Sequence, residues 1–420
     1  MFVNRYFHPD LSATSQMLSD IAFRLAARGW RVTVVTSRQL YEDARAELPV
    51  RETIAGVEVV RVSTTSFGRR TLALRAADYA SFYVAAAVAL ARIVRTGDVV
   101  IAKTDPPLLS LVAGPVTRLK GARLVNWLQD LFPEVASGVG MGRGRLARIG
   151  FAALKALRDR SCRIARRTVV LGERMHEAMA ARGIAHDRLA VIANFADGRL
   201  ITPVARDRNP LRRAWGLDGS FVVGYSGNLG RAHDAATLLA AMECICSGGG
   251  ASRTGAAECG APRVVWLFIG GGKRLDELRA EVRQRGYGNV VFQPYQPREA
   301  LALSLSAADV HLVSLMPELE GAIVPSKIYG IAAAGRPAIF IGDGDGEVAR
   351  LVRRHGSGVT VAPGDGAGLA AAILQLAGDP ARAAQMGEAA RRAFETENDV
   401  AIAVERWDAL LTQVTNRTAG

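Results

Sequence analysis

Apolar positions in this chain fall into short β-branched or aromatic runs, set apart by longer stretches in which apolar residues recur at helical spacing. In the first half the runs are Val3 to Tyr6, Arg31 to Thr36, Val57 to Val62, Asp98 to Ala102, Arg123 to Trp127, Thr168 to Leu171 and Leu189 to Ile192. In the second half they are FVVGYS, VVWLFI, NVVFQ, DVHLVSL, PAIFIG and GVTV, again with helical segments between them. Strands that alternate with helices predict βαβ units and a parallel sheet, and the pattern occurs twice. The expected fold is therefore α/β, with two tandem Rossmann-like, doubly wound domains facing a cleft. The boundaries are placed at 1–200 and 221–395. The polar, Pro-containing stretch 201–220, opening from Gly198, reads as a linker. Ser247 to Pro262, rich in Gly, Ser and Ala, reads as a mobile insertion.

One stretch organises the second domain, ELEGAIVPSKIYGIAAAGRPAIFIG at 318–342. Pro325 suits a first helical turn, so Ser326, Lys327 and backbone N–H groups share one helix start, which favours an anion. AAAG lets that helix pack closely on a sheet, and AIFIG reads as a strand buried on both faces. Glu318 and Glu320 give the same mouth an acidic edge.

With 420 residues the chain exceeds one ordinary core, and 49% hydrophobic with 22% charged residues is the composition of a globular protein. A net charge of +13 calls for an anionic partner, whether nucleic acid, acidic membrane or phosphorylated small molecule. Cys162, Cys244, Cys246 and Cys259 form no CxxC pair, which fits a reduced, cytoplasmic setting and no metal site. MFVNRYFHPD lacks the apolar core of a signal peptide. The chain opens almost inside a strand, so its natural start is expected slightly upstream. The run from Ser81 to Val94 is interrupted by Arg92 and is short for a bilayer, so no transmembrane helix is expected.

In doubly wound sheets ligands meet the carboxyl ends of strands. YFHPDLSATS follows the first strand and offers Asp10, Ser12 and Thr14 before a helix, either as donors to a ligand or as plain caps. NWLQDLFPE at 126–134 follows another strand and places Gln129, Asp130 and Glu134 on a loop, where paired carboxylates suit acid/base work or hold acceptor hydroxyls. YSGNLGRAHD at 225–234 opens a helix of the second domain. Gly227 and Gly230 allow a phosphate to approach the backbone beside Asn228, and Arg231 and His233 stand at the helix entry. This loop lacks the full G-x-G-x-x-G spacing, and GGGKR at 270–274 lacks the Ser or Thr that a P-loop needs after its Lys. Neither a nicotinamide dehydrogenase nor a P-loop kinase fits.

TDPPLLS at 104–110, NWLQDLFPE, VIANFAD at 191–197, YSGNLGRAH, LFIGGG at 267–272 and EGAIVPSKIYGIAAAGRP at 320–337 together resemble the family 4 retaining glycosyltransferases, in that family's order and nearly end to end. The nearest likeness is to the bacterial surface-polysaccharide branch proposed to move N-acetyl-fucosamine. The resemblance implies the GT-B fold and a nucleoside-diphosphate sugar, UDP-linked, held by the C-terminal domain. It also implies a glycolipid or saccharide acceptor on the N-terminal domain, no cofactor or required metal, and a last helix, 396–415 with Trp407, that crosses back to the first domain. Glu320 and Gly321 match the first Glu-Gly of the family's E-x7-E motif, whose Glu contacts the donor sugar. Arg231 and Lys327 match the cations on the diphosphate, and Tyr295 lines the base. The second Glu falls on Ile328 or on Gly330, according to the end from which the motif is aligned. Asn228 stands where the family has Arg, and Gln129 where it has His. The implied catalytic set is Asp130, Glu320, Lys327 and Arg231.

The segment from Arg143 to Arg167 carries nine Lys or Arg against one Asp, with Leu146, Ile149, Leu157 and Ile164 at roughly helical spacing. Such a helix suits the anionic inner face of a cytoplasmic membrane, or packs on its domain with a solvated basic side. Phe151 is its one aromatic residue, so nucleic-acid binding is not expected. A sugar-nucleotide epimerase of related fold and a non-catalytic anion-binding protein remain the alternatives.

Overall fold

The computed structural model describes residues 1–43, 45–68, 71–142, 144–247 and 263–416. The expected insertion at 247–262, Cys259 and Arg143 lie wholly or almost wholly outside the described residues. The chain forms two compact units, Met1–Asn194 together with the last segment from Val400, and Phe195–Asp399.

The first unit runs β1 (Phe2–Val3), α1 (Ala13–Ala27), β2 (Thr33–Ser37), β3 (Arg51–Ile54), β4 (Val57–Val62), α2 (Leu72–Ile93), β5 (Val99–Lys103), α3 (Ser110–Leu119), β6 (Arg123–Trp127), α4 (Glu134–Gly138), α5 (Arg145–Ile164), β7 (Arg167–Val170), α6 (Glu173–Ala180) and β8 (Leu189–Val191). Its sheet has the order β3-β4-β2-β1-β5-β6-β7-β8 and is parallel except for the antiparallel β3–β4 pair. Val3, Val34, Val35, Val59, Val100, Ile101, Val125 and Val169 are all buried. Their strands are rich in buried Val and Ile because helices cover both faces.

The second unit runs α7 (Pro210–Ala214), β9 (Phe221–Asn228), α8 (Ala236–Ser247), β10 (Val264–Gly271), α9 (Lys273–Arg285), β11 (Val290–Gln293), α10 (Leu301–Ser306), β12 (Val310–Ser314), α11 (Lys327–Ala333), β13 (Ala338–Ile341), α12 (Glu347–His355), β14 (Gly358–Val361), α13 (Gly366–Gly378) and α14 (Pro380–Glu397). The sheet is wholly parallel, with the order β11-β10-β9-β12-β13-β14. Counted within the unit this is 3-2-1-4-5-6, the dinucleotide-fold order.

Residues 201–220 are not a linker. Val204 N donates to Ser306 Oγ at 3.1 Å and Val204 O accepts from Arg336 Nη2 at 2.7 Å. Buried Arg212 donates to Ala307 O at 2.8 Å and pairs with Asp309 at 3.2 Å. Part of the polarity of the stretch is Arg206 and Arg212, whose guanidinium groups donate to carbonyls inside the second unit. The last helix, α15 (Val400–Asn416), belongs to the first unit: the Trp407 ring lies 4.7 Å from that of Trp127, edge-on, and 6.3 Å from that of Phe2. Trp30 Nε1 on the far side of α1 donates to Asp408 at 2.7 Å.

The apolar segment near Ser81 is longer than the run 81–94 suggests. Among the described residues, one helix, Ala73–Ile93, is long and apolar enough to cross a bilayer. In this fold its Phe82, Ala86 and Leu90 are buried in the first unit's core.

Candidate functional site

Strand order fixes where each unit can hold a ligand. In the second unit the order reverses between β9 and β12, so the loops that leave those two strands flank the topological switch point. The β9 loop carries Gly227, Asn228, Gly230, Arg231 and His233, and the β12 loop carries Glu320, Gly321, Ser326 and Lys327.

The two loops are fastened together. His233 Nδ1 hydrogen-bonds Ser314 O at 2.6 Å, Asp234 N donates to Ser314 Oγ at 2.9 Å, and Met316 N donates to Ala232 O at 2.9 Å. Asp234 then caps α8 by accepting from Ala236 N and Thr237 N. Burial, with Lys327 adding, pushes His233 down to about 4, so at neutral pH its ring is uncharged. The carbonyl contact makes Nδ1 the protonated nitrogen.

Lys327 opens α11, and its side chain runs across the face of Tyr225 with Nζ 3.6 Å from the ring centroid. Gly227 lies beside it at φ +114°, a backbone conformation that favours glycine, and a Cβ there would make ordinary contact with Nζ at 3.8 Å. Nζ is buried without a hydrogen-bond partner, and burial alone pushes its pKa down to about 7. The Ser226 hydroxyl on the same strand end is likewise buried and unpartnered. A buried ammonium and a buried hydroxyl left without acceptors are costly unless an anion completes them.

Around this point the glycines of LFIGGG close in. A Cβ on Gly270 would sit 2.5 Å from Gly227 O and 3.2 Å from the Tyr295 ring. The exposed Tyr295 therefore flanks the glycine loops, where an aromatic base can stack on it. Glu320 reaches the N-terminus of α12, where its Oε2 accepts from Glu347 N at 3.2 Å, and Gly321 follows it at φ +72°. Two of the expected ligands are less engaged. The Ser326 hydroxyl makes no capping bond to α11, and Arg231 has its guanidinium in solvent. Of the two positions for a second Glu, Ile328 is buried and Gly330 lies within α11.

In the first unit the order reverses between β1 and β5. The β5 end supplies residues that the sequence reading passed over. Lys103 is buried, donates Nζ to Thr14 O at 2.6 Å and lies 4.3 Å from the Trp127 ring centroid. Burial, opposed by Asp105 and Asp130, pushes Lys103 down to about 7. Asp105 accepts from Thr14 Oγ1 at 3.3 Å, and burial raises it against the pull of Arg5. Asp130, after β6, reaches solvent but is crowded by protein on its other sides. That crowding, with Asp105 adding and Lys103 opposing, pushes it up to about 6. Thr14 and Asp130 thus join one cluster with Lys103 and Asp105. The signal was available in TDPPLLS, which places an aspartate beyond the strand that borders the reversal.

The other residues expected on the acceptor side are engaged within the fold. Asp10 is buried, and its carboxylate accepts from Ser12 N at 2.8 Å, from the Ser12 hydroxyl and from Tyr41 N, so Asp10 and Ser12 lock the β1 loop. Glu134 is held by Arg158 at 2.9 Å, Arg182 at 2.8 Å and Lys155 at 3.6 Å. Burial would raise Glu134, but Arg158 and Arg182 hold it below the usual range. Gln129 is buried with its amide nitrogen unpartnered, and its backbone N–H donates to Thr104 Oγ1 at 3.3 Å. Among the described residues no three His, Cys, Asp or Glu side chains come together to hold a metal ion.

Two family models divide the chain almost as the fold does. Residues 13–194 match the glycosyl transferase 4-like domain, and residues 207–393 match glycosyl transferases group 1. The chain thus carries a glycosyl transferase 4-like domain followed by a glycosyl transferases group 1 domain. Among curated relatives, a probable glycosyltransferase, WbjE of Pseudomonas aeruginosa, is 27% identical over 67% of this chain and 66% of that protein. The match therefore spans about two thirds of that relative's length. WcaI of Escherichia coli K12, a putative colanic acid biosynthesis glycosyl transferase, is 25% identical over 93% of this chain and 95% of that protein. Among solved structures, sucrose-phosphate synthase from Thermosynechococcus elongatus superposes with a TM-score of 0.75 at 19% identity, covering 99% of both chains. Anabaena HepE in complex with UDP and glucose gives 0.69 at 17% identity, over 98% of this chain and 100% of that one. WaaG, a glycosyltransferase involved in lipopolysaccharide biosynthesis, gives 0.68 at 15%, over 100% and 99%. These structures share the fold, two Rossmann-like α/β domains with parallel sheets.

Proposed function

We propose that the chain transfers a sugar, an N-acetylated deoxyhexosamine in our reading, from a UDP-linked donor to a lipid-linked or growing surface saccharide. The transfer proceeds with retention at the anomeric carbon, without a metal, on the cytoplasmic side of the membrane. The observation that carries this reading is the buried, unpartnered ammonium of Lys327 at the second unit's switch point, beside glycines that open the backbone. The UDP and glucose bound by HepE and the colanic acid assignment of WcaI point the same way.

Breaking the bond from the anomeric carbon to the β-phosphate leaves about one additional negative charge on the diphosphate, which preorganised donors stabilise by several kcal/mol. Lys327 Nζ and the Ser226 hydroxyl supply such donors, and Arg231 completes them when the donor draws it in. Neutral His233 stiffens the loop rather than adding charge. Glu320 accepts from sugar hydroxyls. A bare carboxylate would be repelled by the diphosphate, but the positive end of α12 offsets part of its charge. With retention the acceptor hydroxyl approaches the face from which the diphosphate leaves, so the departing phosphate oxygen takes the acceptor's proton. Asp130 orients the acceptor or relays that proton, with Lys103 and Asp105 setting its charge.

The test is to incubate the purified protein with a panel of sugar nucleotides and membrane lipid extract, then identify the glycolipid formed and its anomeric configuration. A UDP-sugar consumed into a lipid-bound product of unchanged configuration is expected. Donor converted to its epimer without any acceptor, or an inverted linkage, would overturn the proposal.

A further inference from the structure

Helix α5 is built inside out. Its buried residues are Arg158, Asp159, Ser161 and Cys162, while Leu146 is 86% exposed, Ile164 63%, Ile149 59% and Leu157 45%. A helix that packs its polar side inward and offers its large apolar side chains to water reverses the ordinary pattern of a surface helix. The polar side is inward because Arg158 and Asp159 belong to the ion-pair cluster around Glu134 and Arg182. Nothing comparable explains the apolar side.

The neighbouring helices continue that surface. α3 packs against both α2 and α5, so the three form one layer over the sheet. On α2, Val84 is 67% exposed and Val88 is also open, in a stripe with exposed Ala76, Ala80 and Ala91. On α3, Leu119 is 86% exposed. Exposed cations surround these residues: Arg92, Arg118, Arg145, Arg148, Arg160 and Arg163. The only acidic residues of the three helices are Asp78 and Asp159, and both are buried. The outer side of the layer therefore offers aliphatic side chains and positive charge with no carboxylate.

We infer that this α2–α3–α5 layer is a docking surface for an anionic lipid bilayer, with the Leu and Ile side chains entering the headgroup boundary and the arginines meeting lipid phosphates. The inference does not depend on which sugar is moved. Charge complementarity selects the occupant. A second copy of this chain would bring the same unneutralised arginines against themselves, and a nucleic acid would leave the aliphatic residues without a partner and find no exposed aromatic ring to stack on. A bilayer with acidic headgroups satisfies both kinds of side chain at once. The sequence expectation for 143–167 is thereby extended to three helices and assigned to a defined side of α5.

Co-sedimentation of the full chain with vesicles tests this. Vesicles of phosphatidylglycerol and phosphatidylethanolamine should retain the protein, phosphatidylcholine vesicles should retain far less, and raised salt should weaken the retention. Leu146→Glu together with Ile149→Glu should lower affinity for the acidic vesicles at least about tenfold while melting temperature and UDP affinity stay unchanged, because both side chains are exposed and outside the donor site. Arg148→Glu with Arg160→Glu should do the same through charge alone. Equal binding to both kinds of vesicle, or unaltered binding by either folded double variant, overturns the inference. So does a change confined to oligomeric state or RNA retention.

Discussion

Lys327 is a lysine whose ammonium nitrogen is out of reach of both water and any acceptor. Its pKa near 7 in the free protein makes donor binding a proton-linked event. A diphosphate seated against Nζ favours the charged form and raises the pKa, so binding above pH 7 requires proton uptake. UDP affinity should then fall as pH rises from 7 to 9, by up to about tenfold per unit. Titration calorimetry in buffers of different ionisation enthalpy reads the proton directly. Lys327→Met should flatten this dependence and lower turnover at least about tenfold at saturating donor. A pH-independent UDP affinity in the native chain would remove Lys327 from the diphosphate. Asp130 predicts a separate limb. With its pKa raised to about 6, an ionised Asp130 acting on the acceptor should give turnover that climbs through pH 6. Asp130→Asn should abolish that limb and most turnover while leaving UDP affinity intact, which pH profiles of both proteins would show.

At the scale of elements, α12 depends on a residue from outside itself. Its N-cap is Gly346, which has no side chain to offer, and Glu320 supplies the missing acceptor. A carboxylate at a helix N-terminus contributes about 1 kcal/mol, or roughly 2–4 °C in a unit of this size. Glu320→Ala should lose that stability. Glu320→Gln keeps an acceptor without the charge, so it should lose less, retain UDP affinity, and lose affinity for the intact UDP-sugar. Calorimetry with both ligands decides this, and equal losses for both would leave Glu320 a structural cap only. This dual duty was not legible in the sequence, because Glu347 is distant in the chain and the contact exists only once β12 and β13 pair. The strands were legible from short runs rich in β-branched residues: Val57–Val62, Arg123–Trp127 and Gly358–Val361 match residue for residue. The edge strand β3 was not. Its RETI alternates exposed and half-buried positions, and its turn uses Ala55 at φ 46° before Gly56 at φ 80°, so the Asn-Gly or Asp-Gly signal of such a hairpin is absent. In the site, the glycine loops and Lys327 announced themselves by composition. Lys103 did not, because it ends the continuous apolar run VVIAK and looks like the close of a strand. The turn-locking bonds of Asp10 and the ion pairs of Glu134 were not legible in sequence, because capping and ion-pairing use the same side chains as binding.

Across the whole molecule, the chain folds a unit from residues separated by the entire second unit: α15 completes the core begun at β1, with Trp407 buried against Trp127 and Phe2. Trp127 in turn lies under Lys103, so the last helix supports the floor of the Asp130 cluster. Removing a buried Trp side chain costs about 3–5 kcal/mol, so Trp407→Ala should strongly lower the unfolding temperature of the first unit. The second unit has its own core around Trp266, Phe268, Leu238 and Ile339. UDP, by contrast, should stabilise the second unit by about 2.7 kcal/mol at a hundredfold excess over its Kd, whether or not Trp407 is present. Scanning calorimetry of the native chain and of Trp407→Ala, each with and without UDP, should therefore give two transitions, one that moves with the mutation and one that moves with the nucleotide. A nucleotide that raises the transition lowered by Trp407→Ala, while leaving the other in place, would put the donor on the first unit and contradict the assignment of Lys327 to its diphosphate.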